Sequence, residues 1–338
     1  MNKTKLKIIL VFSTLLIFSS LSSLFIFFQI SAFVKEPLNL SAREKIFIIK
    51  PGQSLKYIAA NLEQESLISD STWFTLFTKF KKADKKLQAG EYLLSASQSP
   101  EQILKILKKG KVKLYKITIP EGLNINEVAF LVEKNSFCSK LKFITLSKDK
   151  SFISSLGLKA ASLEGYLFPD TYFFSKQASC KKIITTMVEH FKKVFIQEWE
   201  IKAQSMGFSI HEIVILASII EKETGDASER ALISSVFHNR LKKNMRLESD
   251  PTVIYGIKDF DGNIKKKHLK MLTPYNTYKI KGLPMGPIAN PGELSLYATL
   301  NPEKTSYLFF VSKKDTTHKF SKTFREHNQA VRKYQLRK

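Results

Sequence analysis

Residues 213–224 read IVILASIIEKET: an apolar run, Ile213-Val214-Ile215-Leu216-Ala217-Ser218-Ile219-Ile220, closed by Glu221, Lys222, Glu223 and Thr224. The run is too short to span a bilayer, which takes about 20 apolar residues. It is apolar on every side, unlike a surface helix, and so predicts a helix buried in a protein core. Glu221 then stands where that helix leaves the core. Desolvation and the negative end of the helix dipole both favour its protonated form there. A carboxyl held protonated near neutral pH is what a general acid for glycosidic cleavage requires. The plainer alternative is a helix-end carboxylate paired with an arginine, Arg230 or Arg240. Helical spacing puts Val214, Ala217, Ser218 and Glu221 on one stripe. Three of these are small, so the stripe is expected to line a groove while Ile213, Leu216 and Ile220 pack inward. Glu223 points elsewhere, and its replacement by Gln is expected to be mild.

The N-terminus bears on the compartment. Lys3, Lys5 and Lys7 precede an almost unbroken apolar stretch over residues 8–34, long enough for one spanning helix. The lysines on the near side predict an N-terminus inside. The rest of the chain would then lie outside the cytoplasm, tethered to the membrane. A cleaved signal peptide is the rival, with Ser31 and Ala32 as a small-residue processing site. The stretch exceeds the usual h-region of about 7–15 residues, which favours a retained anchor.

A formal net charge of +24 suggests a polyanionic partner. Nucleic acid is set aside, because only seven of the 54 basic residues are Arg and the lysines are scattered along the whole chain. Contact with anionic lipid or cell-wall polymer fits better. Cys138 and Cys180 are able to bridge in an oxidising compartment, but their spacing does not demand it, and they read as incidental thiols.

After a linker over residues 35–45, the pattern runs strand (Ile46-Phe47-Ile48-Ile49), turn (Pro51-Gly52) and helix opened by Ser54. Residues 87–94 (LQAGEYLL) predict a second strand, and Ser99-Pro100-Glu101 cap a helix stopped by Gly110. Strand, turn and helix recur at Ile117-Thr118-Ile119-Pro120-Glu121-Gly122 and the residues after it, a weak internal repeat. One amphipathic helix is expected over residues 181–202. The buried helix follows, and then another opening at Asp226 or Ser228, with Gly225 between them. Beyond Pro251 the chain is rich in Gly and Pro, up to a helix over 293–300 and a strand over 307–311; such loops commonly build binding clefts. The six histidines lack metal-ligand spacing, and no nucleophile elbow, phosphate loop or dinucleotide fingerprint occurs. No cofactor or metal is expected, which leaves carboxylate acid–base chemistry.

Five ordered segments carry a resemblance: 163–172 (LEGYLFPDTY), 216–224 (LASIIEKET), 249–256 (SDPTVIYG), 273–278 (TPYNTY) and 282–292 (GLPMGPIANPG). They are similar to the endolytic murein transglycosylase family, also called YceG-like. The resemblance implies an α+β architecture: a tail (1–7), a transmembrane anchor (8–34), the linker (35–45), a small LysM-like domain (46–115) and a mixed α+β catalytic domain (116–338). It implies cleavage inside peptidoglycan glycan strands between N-acetylmuramic acid and N-acetylglucosamine, with peptidoglycan synthases as candidate partners. It places the catalytic Glu at Glu221. Two positions depart from the family's pattern: Glu248 stands where Gln is usual, and Met285 where Pro is common.

A hydrolase needs two carboxyls, whereas a lytic transglycosylase can use one. In that scheme Glu221 protonates the glycosidic oxygen, then as carboxylate accepts the proton of the muramoyl O6 hydroxyl, which closes a 1,6-anhydro ring. Tyr166, Phe168 and Tyr172 are expected to form walls under sugar rings, and Ser218, Asp250, Asn276 and Tyr278 to position hydroxyls. Asp170 and Asp250, each next to a proline, alternatively cap turns. Two other functions stay open: a hydrolase joining Glu221 to Asp250 or Glu248, and a wall-binding scaffold without activity.

Overall fold

The computed structural model describes residues 3–258 and 260–336. It divides into two compact units: the chain up to Tyr115 together with Ser175–Gln177, and the remainder.

The first unit begins with helix α1 (Lys3–Lys35). Its Phe12–Lys35 portion, 24 residues long, contains a window of mean hydropathy 1.9, long and apolar enough to cross a membrane, a property that signal sequences share. Strand β1 (Lys45–Ile49) leads through α2 (Leu55–Gln64) and α3 (Ser71–Phe80) to β2 (Gly90–Leu94) and α4 (Pro100–Lys109). The strands pair antiparallel with Phe47 opposite Tyr92. Alternation turns Phe47 and Ile49 inward, where they meet Leu62, Phe74, Tyr92 and Leu107. Ser54 caps α2, and Ser99 with Gln102 forms a reciprocal capping box on α4, as their sequence positions predict.

The second unit is mostly helical: β3 (Tyr115–Thr118, whose first residue belongs to the first unit), α5 (Ile125–Lys134), α6 (Lys140–Ser147), α7 (Lys150–Ser155), β4 (Thr171–Phe174), α8 (Cys180–Val194), α9 (Gln197–Ser205) and α10 (Ile210–Glu223). A short 3₁₀ turn (Ala227–Glu229) opens α11 (Arg230–Lys242). Then come α12 (Asp250–Tyr255), α13 (Lys266–Lys270), α14 (Glu293–Leu300), β5 (Phe309–Ser312), β6 (His318–Ser321) and α15 (Phe324–Val331), followed by a π turn at Arg332–Leu336. Strand β3 pairs with β4, and β5 with β6 as an antiparallel hairpin.

α10 organises this unit. Ser209 and Glu212 form its capping box, and every residue from Ile213 to Ile220 is buried. Two cores flank it. Ile213, Val214 and Ala217 pack with Tyr166, Phe168, Phe191 and Leu296, while Ile215, Leu216, Ile219 and Ile220 pack with Ile233, Phe237 and Ile288. A helix between two cores is apolar all round for that reason. Each Ile, Leu or Val so buried contributes about 1.5–3 kcal/mol. Gly165 packs close against it at φ +85°, where a Cβ would lie 2.5 Å from Val214 Cγ1 and 2.8 Å from Pro287.

Two expectations are corrected here. The single helix over 181–202 is two, α8 and α9, broken at Phe195 and Ile196. The break lets Phe195 stack on Phe191 (5.7 Å) and meet Trp199 edge-on (5.8 Å) in one core. No Gly or Pro marks it. Cys138 and Cys180, read as incidental thiols, form a disulfide, with Cα atoms 5.7 Å apart; α6 and α8, in contact, bring them together.

Candidate active site

α10 ends with two carboxyls facing different surroundings. Thr224 closes the helix by donating from Oγ1 to the Ile220 carbonyl (2.7 Å). Gly225 follows, where a Cβ would lie 2.6 Å from the Thr316 carbonyl oxygen; its absence lets the β5–β6 turn close over the helix end. A cavity of about 450 Å³ opens there, lined by Glu223, Arg240, Glu248, Asp250 and Tyr278, by Phe309, Phe310 and Phe324, and by His318 and His327 among others.

Of the two carboxyls at the end of α10, Glu223 is the one that lines this cavity. Ser249 donates its hydroxyl to Glu223 Oε1 at 2.6 Å. Burial is the largest influence on the group and pushes its pKa up to about 7; Asp250 adds to the rise, while Ser249 and Arg240 oppose it. Tyr278 donates to Asp250 Oδ1 at 2.8 Å, and burial, reinforced by that bond, raises the phenol and keeps it protonated. Arg240 is spent on structure: Nε donates to the Leu308 carbonyl (2.7 Å), and Nη1 to the carbonyls of Arg246 and Leu247. Nη1 also meets Glu248 Oε2 at 3.1 Å. Glu248 adopts φ 52°, so its carboxylate is held at the cavity edge by a left-handed backbone and an ion pair.

Glu221 lies elsewhere. Its side chain is 8% exposed, Oε2 accepts the Gly292 amide (3.0 Å), and Oε1 stands 3.9 Å from Arg230 Nη2. Lys222 donates to the Gly122 carbonyl at 3.2 Å. Glu121 stands close by, its pKa raised by burial and by Glu221, with Arg230 opposing. Glu221 therefore holds the Gly292 loop and stands beside Arg230.

The expected site residues divide accordingly. Asp250 and Tyr278 line the cavity, but on the Glu223 side. The stripe of Val214, Ala217 and Ser218 lines no groove: all three are buried, and Ser218 donates to the Ile215 carbonyl while accepting the Ile288 amide. Tyr166 is buried, edge-on to Phe191 and bonded to His211 Nδ1 at 2.8 Å. Phe168 is buried against His190, and Tyr172 donates to the Phe168 carbonyl at 2.6 Å. Asn276 is fully buried and uses its amide on the carbonyls of Leu269 and Met271, stapling a loop. Ser218, Tyr166 and Phe168 thus complete the packing around α10, Tyr172 packs with Phe174 and His190, and Asn276 closes its own loop. The cavity's aromatic wall comes instead from β5 and α15, near the C-terminus. Among the described residues, no cluster of three or more His, Cys, Asp or Glu could hold a metal ion.

The profile of the YceG-like family matches residues 47–333. The chain belongs to that family. Over 316 residues it is 34% identical to the endolytic murein transglycosylase of Bacillus subtilis strain 168, covering 88% of this chain and 87% of the relative. It is 29% identical to the endolytic murein transglycosylase of Streptococcus pneumoniae strain D39, over 82% of this chain and 56% of that longer protein. The 2.6 Å crystal structure of a YceG-like protein from Listeria monocytogenes aligns with a TM-score of 0.59 and 35% identity, over 86% of this chain and 99% of that one. The LEGYLFPDTY and GLPMGPIANPG segments of this YceG-like chain pack α10, whereas SDPTVIYG and TPYNTY reach the cavity through Asp250 and Tyr278.

Proposed function

We propose that this chain is a membrane-anchored endolytic lytic transglycosylase that cuts peptidoglycan glycan strands between N-acetylmuramic acid and N-acetylglucosamine and leaves 1,6-anhydromuramoyl ends. Family membership supports the reaction class. The observation that carries the site is Glu223: a carboxyl whose pKa is raised to about 7, in a cavity with aromatic walls and an Asp250–Tyr278 pair. We assign the general acid to Glu223 in place of Glu221, which is already engaged by Gly292 and Arg230. Protonated Glu223 donates to the glycosidic oxygen as the C1–O4 bond breaks. The muramoyl O6 then closes on C1 as its hydroxyl proton passes to a base in the site, and intramolecular attack supplies the effective concentration that a bound water would otherwise need. Phe309, Phe310 and Phe324 offer apolar surfaces to sugar faces. The strand–helix–helix–strand order of the first unit supports a LysM-like, wall-binding role for it.

Digestion of glycan strands in ¹⁸O-labelled water, read by mass spectrometry, tests the reaction. Unlabelled ends lighter by one water are expected. Labelled reducing ends would make the protein a hydrolase with Glu248 or Asp250 as second carboxyl, and intact strands would leave only wall binding. Glu223→Gln is expected to lower the rate by about 10²–10⁴-fold, whereas Glu221→Gln should act through stability. The reverse pattern would return the acid to Glu221.

A further inference from the structure

The same cavity holds an imidazole already oriented as a base. His318 opens β6 and lines the cavity. Glu229, in the 3₁₀ turn after α10, accepts the His318 backbone amide at Oε1 (3.0 Å) and meets His318 Nδ1 at Oε2 (2.8 Å). The two side chains are only 11% and 12% exposed. A carboxylate at Nδ1 fixes the proton there, which leaves Nε2 as the lone-pair nitrogen of the neutral ring. Phe310 meets the ring edge-on at 5.3 Å and restricts its rotation. No hydrogen bond occupies Nε2 among the described residues. His327, the other imidazole in that wall, lies flat on Phe309 at 5.2 Å, and among the described residues its Nδ1 has no hydrogen-bond partner. Sheet pairing does not require a histidine at position 318, since its partner across the hairpin is Ser312.

We infer that His318, positioned by Glu229, is the base that accepts the muramoyl O6 proton. The inference rests on the transglycosylase reading above. Glu223 gives its proton to O4 of the departing N-acetylglucosamine as C1–O4 breaks. The O6–C1 bond forms, and the O6 proton moves to His318 Nε2. That proton then returns to the Glu223 carboxylate through solvent, so the enzyme is restored and no water is consumed. Two groups let donation and acceptance occur in one step, whereas a single carboxyl must do them in sequence. Glu229 is a positioning residue.

The test uses the full chain in detergent micelles with uncrosslinked glycan strands. His318→Asn is the informative variant, because the Asn amide can still donate to Glu229 and preserve the local fold. Its kcat should fall by at least about 100-fold, with KM and melting temperature unchanged. His318→Gly should recover at least about tenfold in rate when imidazole is added, as expected for a lost general base. A His318→Asn rate within about threefold of the unaltered protein, far short of general-base loss, would overturn the inference. So would a slow His318→Gly that imidazole does not rescue, which would make the ring purely structural. Failure of the unaltered protein to form anhydro ends refutes the functional reading itself, and His318's role with it. An active Glu223→Gln beside an inactive His318→Asn refutes the acid assignment alone.

Discussion

Glu221 and Glu223 are two residues apart and chemically identical, and their surroundings separate them. The Glu223 carboxyl must be protonated to donate, so activity should fall as pH rises through about 7. A kcat/KM profile measured between pH 5 and 9 checks this; a decline complete well below neutral would mean an unperturbed carboxyl does the work. Glu164 offers a second residue-scale prediction. It is buried, accepting the Ile125 amide (3.0 Å) and the Tyr255 hydroxyl (2.8 Å), and burial lifts its pKa to about 7. A folded pKa above the unfolded one means that this group's contribution is full below the unfolded value and is lost as pH rises through about 7. Glu164→Gln keeps the bond from the Ile125 amide through its oxygen, turns its own N–H toward the Tyr255 hydroxyl as donor, and cannot ionise. Urea unfolding between pH 4.5 and 8 should therefore show the unaltered protein losing stability relative to the variant as pH rises. A gap that stays constant or moves the other way would contradict it.

At the scale of elements, α10 is held by close backbone approaches as much as by side chains. Gly165 combines a φ of +85° with a Cβ site overlapping Val214 and Pro287. Gly165→Ala adds left-handed strain to overpacking and should cost about 2–4 kcal/mol. Denaturant titration reads this directly, and a loss under about 0.5 kcal/mol, ordinary for a surface change, would mean the loop does not seat on the helix as described. The turn between β5 and β6 depends on Gly225 in a similar way, because its Thr316 carbonyl occupies the space where a side chain would stand. That approach brings His318 to the end of α10, about ninety residues away in sequence.

For the whole molecule, α1 sets the compartment. We propose it as a retained anchor with its N-terminus inside, because Lys3, Lys5 and Lys7 precede an apolar window of mean hydropathy 1.9. Protease added to intact spheroplasts should then degrade the chain beyond α1, leaving a short membrane-bound fragment on an immunoblot against an N-terminal tag. Full protection of the chain would reverse the topology, and a mature protein lacking the tag would make α1 a cleaved signal. The scattered lysines are compatible with a surface facing anionic lipid and wall polymer.

Much of this could be read in the sequence because it is local. Ser54 and Ser99 announce helix starts through bonds made within three residues, and the apolar run Ile46–Ile49 ahead of Pro51-Gly52 marks the strand at 45–49. The all-round apolarity of 213–220 declared a buried helix, since only a segment enclosed on every side dispenses with polar residues. The break at Phe195–Ile196 was invisible, because aromatic packing bends the chain there without Gly or Pro. The choice of carboxyl was also beyond local reasoning. Helical phase states that Glu221 and Glu223 point in different directions, but not what lies in each. Only the tertiary structure put Gly292 and Arg230 before one and an open aromatic cavity before the other. The physical reason is that segments distant in sequence, β5, β6 and α15, build that cavity, and contacts of such range leave no periodic trace near the residues they surround.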